Sequence, residues 1–433
     1  MKRRVLAMFL ACVMALGLLA GCGGNDSDAP GSSGGSNGGS NASTPSGGSG
    51  EATDITLKVW CPTNQIETGI MDEQQKAFQE AHPEWNITWD TTAVGEDTCQ
   101  ESVLRDVDSA ADVYFFSSDQ LPALVSAGAI AQLGGSTAEM VENNMSEAVV
   151  NTAKVDGSLY AIPFTHNTFF MFYDKTLLSE DDIKSLESIM AAETADNVYN
   201  FYFESAGGWK LGCYYYGAGL SVFGADGSDL SAGVDWNNAT GLAVTNYLID
   251  LIGNPKCAYD GEIAVSELIA DHRLGAWFDG SWNYDLYHDA LGDDLGLAVI
   301  PTFNPDGTDR QLLGFYSSKC IGVNAKSQNP AAAVAFAAFL GNEENQVLRY
   351  EKSAQIPTNI SAAATEAVQS SELAAVITAE ANSCSVMQPL STTFSARYWT
   401  YAGAIPTEIR SGEINKDNAQ AKLDTFVAAM TAE

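Results

Sequence analysis

The chain predicts an α/β protein of two lobes, each an open and mostly parallel sheet with helices on both faces. Three observations carry this. From residue 55 onward, strand-like and helix-like stretches alternate. After residue 158 the alternation starts again with a different character. About 380 residues follow residue 51, enough for two domains with sizeable cores.

Ile55-Thr-Leu-Lys-Val-Trp60 predicts the first strand, with Pro62-Thr63-Asn64 as the loop beyond it. Residues 67–82 predict a helix stopped by Pro83, and residues 85–89 alternate like a second strand. Residues 96–108 read as a helix, and residues 111–116 as a buried strand running into Ser117-Ser118-Asp119. Residues 121–127 have helical spacing. In the second half, residues 159–163 and 168–173 predict strands separated by Phe164-Thr165-His166-Asn167. Ser179 is placed to cap a helix opening with Glu180, Asp181 and Asp182, acids that suit the positive end of a helix. Residues 240–252 form a long amphipathic helix, with Leu242, Leu248, Ile249 and Ile252 at helical spacing. Strands follow at 295–300 and 320–323, and helices at 331–340 and 342–350. The last third is helical, broken over 384–395.

The N-terminus has its own logic. Lys2, Arg3 and Arg4 precede an uncharged apolar run over residues 5–20, which ends Leu18-Leu19-Ala20-Gly21-Cys22. The run falls short of the about 20 residues that span a bilayer. A basic head, a short apolar stretch and small residues before a cysteine predict a lipoprotein signal over residues 1–21. Cys22 then becomes the first mature residue and carries the lipid that holds the protein to the outer face of the cytoplasmic membrane. Residues 22–52, nearly all Gly, Ser, Asn, Asp, Thr and Pro after the cysteine, cannot bury enough apolar surface to fold. They predict a flexible tether of roughly 30 Å span. A nucleophile-elbow pattern, Gly31-Ser32-Ser33-Gly34-Gly35, falls inside it without the strand and helix that motif needs.

The formal charge is −34, and loss of the three basic leader residues makes it more negative. Such a chain repels nucleic acid and anionic lipid surfaces. Cys61, Cys99, Cys213, Cys257, Cys320 and Cys384 are scattered, with neither a C-x-x-C pair nor the density of a disulfide framework. They read as mostly buried thiols with room for one disulfide. Four separated histidines make no metal site, and neither HExxH nor a phosphate-loop lysine motif occurs. Nothing positive points to catalysis, to a metal or to a cofactor.

The aromatic residues say more. Phe116, Trp282 and Tyr284 stand at the ends of predicted strands, Trp209 follows Ser205-Ala-Gly-Gly208, and Tyr398 and Trp399 lie in a polar stretch. In open α/β sheets ligands bind beyond the carboxyl ends of the strands. Taken singly each ring reads as core; together they outline a lined groove. A flat ring offers a negative π face, which suits the C–H face of a pyranose. Asn64, Asp119 and Asn167 occupy loops that can supply partners for its hydroxyls. Glu96, at the head of its predicted helix, completes these candidate contacts.

Several stretches together resemble the sugar-binding lipoproteins of bacterial ABC importers, most closely the maltose/maltodextrin-binding proteins. They are Leu57-Lys-Val-Trp60, Ala111-Asp112-Val113-Tyr-Phe-Phe116-Ser-Ser-Asp119, Gly157-Ser-Leu-Tyr160-Ala-Ile-Pro163, Tyr173-Asp174-Lys175, Phe278-Asp-Gly-Ser-Trp282, Ile300-Pro-Thr-Phe303, Phe339-Leu-Gly-Asn-Glu-Glu-Asn345 and Gln355-Ile-Pro-Thr-Asn359. The resemblance implies a periplasmic-binding-protein-like type II fold, two lobes with a hinge and a ligand cleft between them. It divides the chain into residues 53–165 plus 319–362 for one lobe and 166–318 plus 363–433 for the other. Phe116 falls where the family has an aryl group beside Asp119, and Trp209 near an aromatic platform. Trp282 and Trp399 match two further family tryptophans. Asn64 and Asn167 replace carboxylates, and Gln65 and Gln120 replace basic residues, so hydrogen-bonding capacity is kept while charge is lost. The implied function is capture of a maltooligosaccharide by a monomeric receptor and its delivery to ABC permease transmembrane subunits. Xylo-, manno- and β-gluco-oligosaccharides stay open as ligands. A cell-surface glycoside hydrolase and a starch-adhering module stay open as other classes.

Overall fold

Two sheets carry the fold, and one strand runs from the core of the second into the core of the first. The computed structural model of the protein describes residues 52–432 except 206–207, 225–226 and 262–263. The expected signal, Cys22 and all of the tether but its last residue lie outside the described residues.

The first sheet has Thr53–Cys61 at its heart, paired in parallel with Trp85–Ala93 on one side and Val113–Ser117 on the other. Next comes Gly314–Val323, antiparallel to Val113–Ser117. Along its length it also takes up Ala161–Asn167 and Ser385–Met387. The second sheet runs Leu295–Ala298, Phe170–Asp174, Leu274–Asp279, Tyr199–Phe203, Cys257–Tyr259. It is buried on both faces. Met171, Phe201 and Phe278 pack on one side with the C-terminal helices, while Phe170, Phe172 and Trp277 pack on the other. The first sheet's core holds Val59, Phe115, Phe164 and Ile321 together with helix Pro330–Leu340. The chain passes between the sheets after Asn167, within Gly314–Val323, and again near Ile356, which packs with the second sheet.

Several elements differ from the sequence expectation, each for an identifiable reason. Asn64 sits on a short helix, Thr63–Glu67, rather than a loop. The helix expected over 67–82 begins at Ile70 because Gly69 turns left-handed, at φ 72°. That conformation costs glycine little. Residues 164–167 are strand, since their backbone pairs with the sequence-distant Ser317–Cys320. The helix cap expected of Ser179 belongs to Ser185, which forms a capping box with Ser188 ahead of Leu186–Ala191. Helix Thr392–Ser411 begins at its Ser391 cap, so the polar stretch holding Tyr398 and Trp399 is helical. Helix Gly208–Gly217 lies tight against it. A Cβ at Gly208 would stand 2.7 Å from Ala402, and one at Gly212 would stand 2.7 Å from the Tyr398 hydroxyl. All six cysteines are buried and free, so the described residues contain no disulfide.

Two buried ionisable groups bear on stability. Arg349 is fully buried without a carboxylate partner. Its guanidinium donates to Gln65 Oε1 at 3.2 Å and to the Leu340 carbonyl at 2.6 Å, and lies over the Phe164 and Phe115 rings. Glu380, on helix Glu372–Ser383, is also fully buried. Its Oε2 accepts the Ile300 amide at 2.9 Å, and its Oε1 has no partner. Burial pushes the Glu380 pKa up to about 8, and the single amide bond only partly opposes this. An unfolded glutamate titrates near about 4.3. The folded chain therefore keeps a proton that the unfolded chain releases, and stability falls as pH rises from about 4.3 to 8 before levelling. Thermal melts of Glu380→Gln between pH 5 and 8.5 are expected to show a shallower decline in Tm than the parent. Parallel slopes would rule out Glu380 as the cause.

Candidate functional site

Strand ends of both sheets open on one cavity of about 630 Å³. Each contributes through the residues just beyond its carboxyl end. Thr53–Cys61 leads to Pro62 and Asn64, Trp85–Ala93 to Gly95, Glu96 and Asp97, and Val113–Ser117 to Asp119 and Gln120. From the second sheet Tyr199–Phe203 leads to Trp209 and Leu274–Asp279 to Trp282. Asn167, Lys319, Gln388 and Trp399 complete the walls.

The turn bearing Trp282 is held by one carboxylate. Asp279 accepts the Gly280 amide at 2.8 Å, the Asn283 side-chain amide at 2.9 Å and the Tyr287 hydroxyl. With that turn fixed, the Trp282 ring lies back over Gly280, where a Cβ would come within 2.1 Å of ring carbons. The ring remains 41% exposed, a large apolar surface facing the cavity. Trp209 stands beside it, centroids 5.8 Å apart and planes at 33°. Lys210, next to Trp209, pairs with Glu204 and lies 4.0 Å from Asp279, which ties the two aromatic supports together. Trp399 reaches the cavity from helix Thr392–Ser411, its ring set edge-on to Phe394 and Phe315.

The polar wall is rich in acceptors. Asn64 Oδ1, Glu96 Oε1 and Gln388 Oε1 are buried without a partner. Gln120 spends its amide on backbone, donating to the Glu96 and Asp97 carbonyls at 2.6 and 2.9 Å and accepting from the Gln100 amide. It therefore shapes the loop that carries Glu96. Asn167 donates to Ser317 Oγ at 2.9 Å. Lys319 Nζ bonds Glu96 Oε2 at 2.8 Å and lies 5.0 Å from the centre of the Trp282 ring. Burial raises the pKa of Asp119 to about 7, opposed in part by its own backbone amide and by Gln388.

Of the residues singled out from sequence, Asn64, Glu96, Asp119, Gln120, Asn167, Trp209, Trp282 and Trp399 line this cavity. Four do not. Phe116 is fully buried in the first core, edge-on to Tyr114, because its strand is covered on both faces. Gln65 is buried behind the wall, where it holds Arg349 and Gln355. Tyr398 stacks on Phe394 at 4.4 Å and donates its hydroxyl to the Gly208 carbonyl inside the second core. Trp399, one helical step on, shares the Phe394 and Phe315 contacts but also reaches the cavity, which Tyr398 does not. Tyr284 opens helix Tyr284–Leu291 and packs on the far side of the second sheet. Sequence reasoning missed Lys319, Gln388, Asp97 and Ser117. Only Lys319 carried a signal, as a lone cation inside an otherwise uncharged strand.

Residues 73–376 match the family model for bacterial extracellular solute-binding proteins. The chain belongs to that family. A solved structure with acarbose is 37% identical, with a TM-score of 0.82, over 87% of this chain and 99% of that one. The maltooligosaccharide ABC transporter solute-binding lipoprotein of Streptococcus pneumoniae R6 is 25% identical over 80% of this chain and 78% of its own. The galactooligosaccharide-binding protein of Bacillus subtilis 168 is 26% identical over 62% of this chain. The chain spans 65% of that relative's length. The solute-binding protein thus has the two-lobed type II fold, with its cavity at the facing strand ends, and its family consists of binders rather than enzymes.

The Trp282 platform makes a test that needs no ligand. Gly280→Val is expected to lift the ring from its backbone seat, seen as a change in near-UV circular dichroism and a red shift of tryptophan emission. Stability should fall by about 1–3 kcal/mol, the usual cost of forcing extra atoms into a packed site. Unchanged spectra would mean that Gly280 does not seat the ring.

Proposed function

We propose that this solute-binding protein captures a neutral oligosaccharide, a maltooligosaccharide in the first instance, and presents it to an ABC permease. The carrying observation is the gathering of Trp209, Trp282 and Trp399 with the polar side chains of Asn64, Glu96, Asp119 and Gln388 around one cavity. Such rings bury the C–H faces of pyranoses, while polar side chains beside them pair with the hydroxyls. A site built to bond a hydroxyl strongly rejects a ligand that lacks it. The S. pneumoniae relative is named for maltooligosaccharides, and the 37% identical structure holds acarbose. The B. subtilis relative supports galactooligosaccharide as a second reading of the same site.

In this reading the two lobes close on the sugar by a hinge at the crossings, and the closed form is what the permease subunits recognise. The lobe division at residues 165/166, 318/319 and 362/363 belongs to the same proposal. So do attachment to the outer face of the membrane through a lipid on Cys22, and action as a monomer.

Calorimetric titration with malto-, galacto- and β-gluco-oligosaccharides tests the reading directly. Binding of maltotriose at micromolar or tighter Kd is expected, and no binding in any series would refute it. Trp282→Ala should weaken maltotriose binding by about 10–100-fold, from a stacking loss of roughly 1–3 kcal/mol per ring. Asp119 gives a pH signature, because its ionised form is the better acceptor for a hydroxyl. Glu96, Asp97 and Lys319 line the same cavity. Affinity should rise from pH 5.5 to 8.5 with a bend near about 7, and the bend should vanish in Asp119→Asn. An identical profile in that variant would remove Asp119 from the ligand contacts.

A further inference from the structure

A second, smaller cavity of about 110 Å³ lies against the main one. Three residues line both: Asn64, Trp282 and Lys319. They are the partition between the two spaces. Lys319 bridges the two sheets there, since its stem comes from the strand Gly314–Val323 of the first sheet while Trp282 belongs to the second. The ammonium is fixed at both ends of its reach, by Glu96 Oε2 at 2.8 Å and by the Trp282 ring 5.0 Å below it. Neither side chain of the ion pair is well exposed, at 14% for Lys319 and 10% for Glu96.

Beyond the partition the small cavity is polar. Thr68, Thr165, Ser281, Asp285, Ser353 and Gln355 line it, offering both donors and acceptors. By itself it is well below the roughly 300–1,000 Å³ of ligand sites. It is far more than the about 30 Å³ share of a single water molecule. Its composition matches the hydroxyl-rich rim of a sugar, and its position continues the main cavity past the Trp282 face.

We propose that Lys319 sets the length of glycan the protein accepts: its ammonium, clamped between Glu96 and Trp282, closes the main cavity against a further sugar subsite. The inference rests on the oligosaccharide-binding reading above. A ligand chain running from Trp209 toward Trp282 ends at the ammonium, because one more unit would have to displace a cation held by both a carboxylate and a ring face. Lys319 is thus a specificity-determining residue. Shortening it joins the two cavities without touching Asn64 or Trp282.

The test is a length series of maltooligosaccharides titrated into the full chain by calorimetry. The readout is the Kd of the longest sugar that still improves binding in the parent protein, divided by the Kd of the next longer one. That ratio should be near one in the parent and rise to about five or more in Lys319→Ser. A second variant, Lys319→Gln, retains a donor for Glu96, and its ratio should rise at least about threefold. Lys319→Arg preserves the barrier and should keep the ratio near one. The double variant Lys319→Ser with Ser353→Trp refills the small cavity and should return it to one. A ratio that stays within twofold of one in both shortened variants, or a loss of affinity equal at every length, would overturn the partition role. If the parent binds a different glycan series, the same ratio is read on that series. Failure of the parent to bind any glycan would overturn the sugar-binding reading itself, and the inference with it.

Discussion

The strand Gly314–Val323 is the constraint on which the rest of the molecule depends. Its first residues pair with Ser385–Met387, and Phe315 is buried in the core of the second sheet. Its later residues pair with Val113–Ser117 and with Ala161–Asn167, with Ile321 and Val323 in the core of the first. One continuous backbone thus belongs to two hydrophobic cores and couples them through a single strand. The register shift between Lys319 and Cys320 marks where that ladder is least regular. The extra residue is Phe164 of the partner strand, opposite the step from Lys319 to Cys320, and bulges of this kind bend the strand that carries them.

Because both sheets present their carboxyl ends to the same gap, the cavity inherits the electrostatics of turns rather than of cores. Glu96, Asp97 and Asp119 line it against a single ammonium, that of Lys319. Leaving a buried acceptor without a partner costs about 1–3 kcal/mol. Asn64 Oδ1, Glu96 Oε1 and Gln388 Oε1 are of this kind, and each belongs to a residue that lines the cavity. The upward shift of Asp119 has another origin: burial disfavours its charged form, and its own backbone amide and Gln388 only partly offset this. Arg349 shows the contrasting solution inside the first lobe. There a charge is buried with carbonyl, amide and ring-face partners already in place, and nothing is left for a ligand to satisfy.

Periodicity and punctuation made most of the architecture legible. The helix over Ala239–Ile252 and the first strand both stand where their spacing placed them, because each depends on contacts made by an amphipathic face or by an adjacent element. What failed was what depends on distant partners. Residues 164–167 look like a loop and are strand only because Gly314–Val323 comes back to pair with them. The site divided along the same line. Trp282 was legible because the Asp279-Gly280 turn is local and forces the next ring outward. Phe116 was not, since a strand covered on both faces shows no alternation from which to read a direction. For Tyr398 and Trp399 the residue types gave no guide. Their sides were decided by a helix cap at Ser391 that turns one ring to the core and the next to the cavity.

The two sides of the Trp282 ring differ in stiffness, and this difference bears on selectivity. Below it, Asp279 holds three donors and the ring rests on a residue with no side chain, so the platform is organised before any ligand arrives. Above it lies an ammonium on a flexible four-carbon stem, strongly hydrated when free and able to donate three hydrogen bonds in any direction. A preorganised face lowers the ordering cost of binding, and every pyranose has a C–H face to lay on it. A flat ring alone therefore distinguishes poorly between sugars. In the proposed site the hydroxyl partners choose between sugars, while Lys319, held over the ring by the Glu96 carboxylate, would bear on chain length.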